Sequence, residues 1–121
     1  MPETGFSGPS RPLTDDEIDA GVTRTAPGAY ALGHRKDGSF IVEYVGRADS
    51  DVGGRLKDHI GDYKRFKFGY CGSPKAAFEK ECSLWHDFGG PDGRLDNEVH
   101  PARPRGTTWT CPRCSNEPLQ A

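Results

Sequence analysis

Residues 28–46 read GAYALGHRKDGSFIVEYVG, and this stretch decides the fold. Asp37-Gly38 stands between two apolar runs, the dipeptide favoured where a two-residue hairpin turn needs positive φ. Residues 29–32 are predicted as the outgoing strand. Residues 40–45, rich in β-branched and aromatic side chains, are predicted as the returning one. Gly46 ends it. The chain is therefore expected to centre on a hairpin with one tyrosine on each arm, Tyr30 and Tyr44.

Downstream, Ser50 or Asp51 can cap a helix running to about residue 60. Val52, Leu56 and Ile60 recur at a spacing of four and are predicted to face the core. Gly53-Gly54 weaken the helix start and suggest a close approach. Residues 64–71 (KRFKFGYC) alternate basic and aromatic, the pattern of a half-buried strand. Ser73-Pro74 then opens a helix that ends near Gly89-Gly90. Upstream, Thr14 and Glu17 fit a capping box for a short helix over residues 14–20. Residues 1–12 hold three prolines and two glycines without periodicity and are expected to be an irregular arm. Residues 91–121 are expected to be loops.

The chain has 121 residues, enough for one domain. Hydrophobic residues make up 33% and charged residues 28%. No apolar run is long enough for a membrane span, and the first residues do not read as a secretory leader. A cytoplasmic setting with reduced cysteines is the expectation. The net charge of −2 excludes a globally basic nucleic-acid binder. Charge is uneven, however: residues 55–80 carry seven cations against three acids, so a polyanion is expected to land there. Lys57, Lys64, Arg65, Lys67 and Lys75 are its candidate contacts.

The order strand, hairpin, strand, helix, strand, helix carries polar landmarks at Gly28-Ala29-Tyr30, Tyr44-Val45-Gly46, Arg55, His59, Glu81 and Asn97. This series resembles the GIY-YIG nuclease family over about residues 27–100. GAY stands for the first tyrosine motif, YVG for the second, and Arg55 with His59 for the R-x-x-x-H pair. Ala77-x-x-x-Glu81-x-x-Leu84 looks like the glutamate helix. The Tyr30–Tyr44 hairpin is longer than the family's usual one. The resemblance implies an α/β fold: a small GIY-YIG-type core with a three-stranded, mainly antiparallel sheet flanked by helices. Residues 1–26 would be an N-terminal arm, 27–100 the nuclease-like domain and 101–121 a C-terminal tail.

The resemblance also implies a metal-dependent endonuclease acting on DNA, with Tyr30, Tyr44, Arg55, His59, Glu81 and Asn97 in its site. The alternative is a non-catalytic nucleic-acid-binding module of the same fold. The residue types suit phosphodiester hydrolysis. Glu81 is a hard oxygen ligand for Mg²⁺ or Mn²⁺. Arg55 offers a planar fork matched to phosphate. A tyrosine acts as general base once its pKa falls, a role the family gives to the first tyrosine, Tyr30. Glu79 competes with Glu81, but two positions on a helix are about 200° apart, so only one can face the site.

Cys111-Pro-Arg-Cys114 has the spacing of a zinc knuckle. Two further ligands are needed. Cys82 and His86, at i and i+4 on the glutamate helix, are the first candidates; His100 and Cys71 are the alternatives.

Overall fold

The computed structural model describes residues 4–6, 8–97, 100–102 and 105–113. In chain order the elements are β1 (Arg11–Pro12), α1 (Asp15–Gly21), β2 (Gly28–Lys36), β3 (Ser39–Ala48), α2 (Val52–Lys57), β4 (Arg65–Tyr70), α3 (Pro74–Asp87) and a 3-10 turn (Gly90–Asp92). The expected hairpin forms. Asp37 and Gly38 have φ of 52° and 81°, the paired positive values of a type I′ turn.

The hairpin's extra length is absorbed by a bulge. Near the turn, Gly33 faces Val42 and Lys36 faces Ser39; beyond it, Leu32 faces Tyr44 and Tyr30 faces Gly46. Glu43 is the unpaired extra residue. A bulge shifts the pairing by one, which would otherwise turn every side chain to the wrong face. Tyr30, Leu32 and Tyr44 thus share one face.

The sheet has four strands in the order β1-β4-β2-β3, all antiparallel, rather than the three expected. The fourth, β1, comes from the segment expected to be an irregular arm. Without it, β4 would present an open edge. The Arg65 guanidinium clasps the incoming chain, donating to Ser10 Oγ at 2.8 Å and to the Ser10 carbonyl at 2.6 Å. Leu13 and Ile18 follow it into the core.

The helices cap as their sequences require. Thr14 Oγ1 accepts from the Glu17 amide, Asp51 from Gly54, and Ser73 from Ala76. Helix α2 is shorter than expected and ends at Lys57. The amides of His59 and Ile60 bond three residues back, to Leu56 and Lys57. This tightening, followed by Gly61 at φ 97°, turns Ile60 out of the apolar stripe; it is 38% exposed.

One face of the sheet packs Tyr30, Leu32 and Phe66 against Val52 and Leu56 of α2 and Ile18 of α1. The other packs Ala29, Ala31 and Val45 against Leu84 and Trp85 of α3. A smaller cluster joins Phe78 and Cys82 of α3 to Cys111 and Trp109.

Gly46 is where packing dictates a motif letter. A Cβ there would lie 2.5 Å from both Cζ and Oη of Tyr30, and Tyr30 is only 1% exposed. The Tyr30 ring lies over the missing side chain of its strand partner. Gly46→Ala is therefore expected to cost about 1–3 kcal/mol by overpacking. Thermal unfolding checks this; an unchanged melting temperature would mean the ring does not rest there.

Candidate active site

A cleft of about 600 Å³ opens at the end of edge strand β3. Its walls include Tyr30, Tyr44, Arg55 and Glu81, four of the six residues singled out from sequence. Tyr30 arrives from the α2 face of the sheet. Glu81 arrives from α3, packed on the opposite face. They meet because the tyrosine passes over Gly46 to the end of β3, the strand at the sheet's free edge.

His59 stands behind the tyrosines. Its Nε2 is 2.9 Å from the Tyr30 hydroxyl, and its ring centroid is 5.1 Å from that of Tyr44. Burial, then the nearby Arg55 charge, holds the His59 pKa below its ordinary value. A neutral imidazole has one donor and one acceptor nitrogen, and in the tautomer protonated at Nδ1 the Tyr30 hydroxyl donates to Nε2. Tyr30 itself is pushed well above the usual phenol range by burial and by Tyr44, with Arg55 pulling the other way. Tyr44 is raised too, first by burial and then by Glu81. The first tyrosine was expected to ionise readily; desolvation works against that in this structure.

Glu81 is 8% exposed, whereas Glu79 lies outside the cleft lining. The helical offset leaves the choice between them to packing, and packing selects Glu81. Burial pushes the Glu81 carboxyl up and Arg47 pulls it down. Arg47 Nη1 donates to Glu81 Oε1 at 2.7 Å, and Arg47 Nε to Asp49 Oδ1 at 3.0 Å. One guanidinium thus holds two carboxylates at the cleft. Arg47 and Asp49 were missed in the sequence. The signal was parity: with Val45 on the α3 face, Arg47 two positions later must share it. Tyr63 was also missed. It stacks beside Tyr44 at 5.8 Å and donates to Asp96 Oδ2 at 2.7 Å.

Asn97 does not line the cleft. Its Oδ1 accepts from the Val45 amide at 3.0 Å and its Nδ2 donates to the Val45 carbonyl at 2.7 Å. The primary amide imitates a neighbouring strand and closes one position on the open edge of β3. In this structure its amide braces the strand behind the cleft.

The candidate phosphate contacts divide. Lys57 is paired with Asp19 at 2.8 Å and with Asp15 at 3.6 Å, and Arg65 is held by Ser10. Both cations answer to groups of the N-terminal segment expected to be an arm. Strand alternation sends Arg65 and Lys67 to the face opposite Phe66, Phe68 and Tyr30. Lys64 immediately precedes this strand, and Lys75 lies in the first turn of α3.

Away from the cleft, Cys82, His100 and Cys111 bring one ligand atom each to within 4.8 Å of one another, a group that can hold a metal ion. His86 does not join it, although its ring is 5.2 Å from that of His100. The histidine expected from the helix is thus replaced by the one that follows Asn97. Cys71 is remote from this group, beside Ala29 and Lys80. Cys114 lies outside the described residues.

Asn97→Ala is expected to lower stability by roughly 1–3 kcal/mol, because the Val45 amide and carbonyl lose partners at a half-closed edge. Chemical denaturation measures it. An unchanged stability with a large rise in KM would instead place Asn97 on substrate.

No family model matches this chain, and no curated protein and no solved structure matches it either. The functional reading therefore rests on the chemistry of its own residues.

Proposed function

We propose that the chain is a divalent-metal-dependent endonuclease that hydrolyses DNA phosphodiesters with a GIY-YIG-like site. The supporting observation is the convergence of Tyr30, Tyr44, Arg55 and Glu81 on one cleft, with His59 in contact with Tyr30. Four residues separated by up to 51 positions meet in the order the resemblance requires.

In this reading the Tyr30 hydroxyl passes its proton to neutral His59 Nε2 while taking one from the attacking water. The resulting hydroxide attacks phosphorus, and the P–O bond to the leaving oxygen breaks. A relay suits a tyrosine whose own ionisation is opposed by burial. Arg55, with its side chain 59% exposed, can reach a phosphate and supplies the fork for its non-bridging oxygens. Glu81 and Asp49 are hard carboxylates already gathered on one cation, Arg47, a donor set that fits Mg²⁺ or Mn²⁺. Such an ion, held by Glu81, would relieve charge on the phosphoryl and leaving oxygens.

Glu81→Gln is expected to cut cleavage of supercoiled plasmid by about 10²-fold or more, leaving DNA affinity measured without divalent metal nearly unchanged. The melting temperature should fall as well, since Arg47 loses its nearer carboxylate. Glu79→Gln should change neither. A fully active Glu81→Gln protein overturns the assignment. DNA binding without cleavage by the unaltered protein in either metal would favour the non-catalytic module.

The pH profile tests the relay. His59 must be neutral to accept a proton, and its pKa lies below the ordinary 6.5. Cleavage should therefore hold through neutral pH and decline only below about 6.5. In His59→Gln that acid limb should vanish along with most of the rate. A wild-type rate that keeps climbing through about pH 10 would make tyrosinate the base and remove His59 from the reaction.

A further inference from the structure

The Cys82–His100–Cys111 group lies outside the proposed cleft and takes no part in the chemistry above. All of its thiol-bearing members are buried: Cys82 is 0% and Cys111 1% exposed. Around one tetrahedral zinc, thiolate and imidazole ligand atoms stand roughly 3.4–3.8 Å apart. Three such atoms within 4.8 Å of one another need only a small inward movement. Soft sulfur ligands with an imidazole select zinc over the hard cations suited to Glu81.

Two further observations point the same way. His100 Nδ1 is 2.9 Å from the Pro101 carbonyl oxygen. A carbonyl only accepts, so Nδ1 is the donor, the backbone contact that commonly orients ligating histidines. The Arg113 amide donates to Cys111 Sγ at 3.4 Å. That contact turns the chain between Cys111 and Arg113 back around the sulfur.

We propose that Cys82, His100 and Cys111 hold a structural zinc ion. The ion staples the C-terminal segment to α3 one residue from Glu81. The Arg113–Asp87 ion pair anchors the same segment to the end of α3. Ala102, two residues past His100, forms part of the cleft wall, so the staple also sets one boundary of the proposed active site. Zinc binding does not depend on the nuclease reading and is measured separately from it.

The test is elemental analysis of the full chain purified under reducing conditions, with cobalt substitution as a second readout. Close to one zinc per chain is expected, and Co²⁺ should give the intense thiolate-to-metal absorption of a tetrahedral sulfur-rich site. Cys82→Ser and Cys111→Ser should each lower zinc content at least about tenfold, and His100→Ala should do so more than His86→Ala. Glu81→Gln should leave zinc content unchanged, which separates this ion from the one proposed in the cleft. Should the cysteine variants fail to fold, chelator-stripped wild-type protein should regain its melting temperature on adding zinc alone. Zinc-free reduced protein, a Cys82–Cys111 disulfide in its place, or cobalt spectra without thiolate bands would overturn the proposal. So would loss of zinc in His86→Ala with retention in His100→Ala.

Discussion

The ion pair between Arg47 and Glu81 joins the two halves of the molecule. β3 carries the guanidinium and α3 the carboxylate, and both are largely buried: the side chains are 16% and 11% exposed. A buried carboxylate without a partner is strongly unfavourable, so the position of α3 against the sheet is tied to this contact. The Arg47 guanidinium also lies over the Phe78 ring at 5.4 Å, where the aromatic face compensates part of its lost hydration. The helix that presents Glu81 is thereby fixed relative to the strand end that presents Tyr44. The cleft owes its shape to that constraint.

A second constraint works through absent atoms. The YVG motif ends in glycine because Tyr30 crosses that position, and the crossing brings a core tyrosine to the rim of the sheet. The same ring then meets His59, whose helix is closed early by Gly61. Small residues and an early helix stop thus bring tyrosines from β2 and β3 to one cavity, with His59 behind them from the turn after α2. The bulge at Glu43 has a parallel effect. It reconciles a tight turn near Asp37-Gly38 with the pairing that Tyr30 and Gly46 require. Its side chain pairs with His34 at 2.7 Å, and its carbonyl accepts from the Asp96 amide at 2.7 Å, so the extra residue is tied down on both sides.

Local chemistry made much of this legible in the residue order itself. The Asp-Gly turn, the capping residues Thr14, Asp51 and Ser73, and the alternation in KRFKFGYC each act within a few residues, and each points to the element that forms. What escaped were choices settled by distant partners. β1 exists because Arg65 holds Ser10, across 55 positions. Ile60 fits a helical stripe on paper, yet the hydrogen bonds shorten before it. Asn97 reads as a site residue, but its amide is matched to an unpaired strand edge that pattern alone does not reveal. His100 rather than His86 meets Cys82, since helical spacing fixes which side chains share a face and leaves open which chain segment arrives there.

Charge at the cleft bears on how the proposed chemistry would be gated. Its walls carry Arg47 and Arg55 against Asp49, Asp51, Asp58 and Glu81, two cations facing four carboxylates. A phosphate approaching that lining meets net repulsion, at a separation where low polarizability of the walls strengthens it. Binding one divalent cation brings the balance to neutral. In the proposed reading, metal and DNA then favour each other's binding by the same factor, because coupling between two ligands is reciprocal. The acidic walls that weaken an encounter with bare polyanion are thus the feature that makes the encounter conditional on metal. A cleft lined only with arginine and lysine would hold DNA without that condition, and without a carboxylate to position the ion.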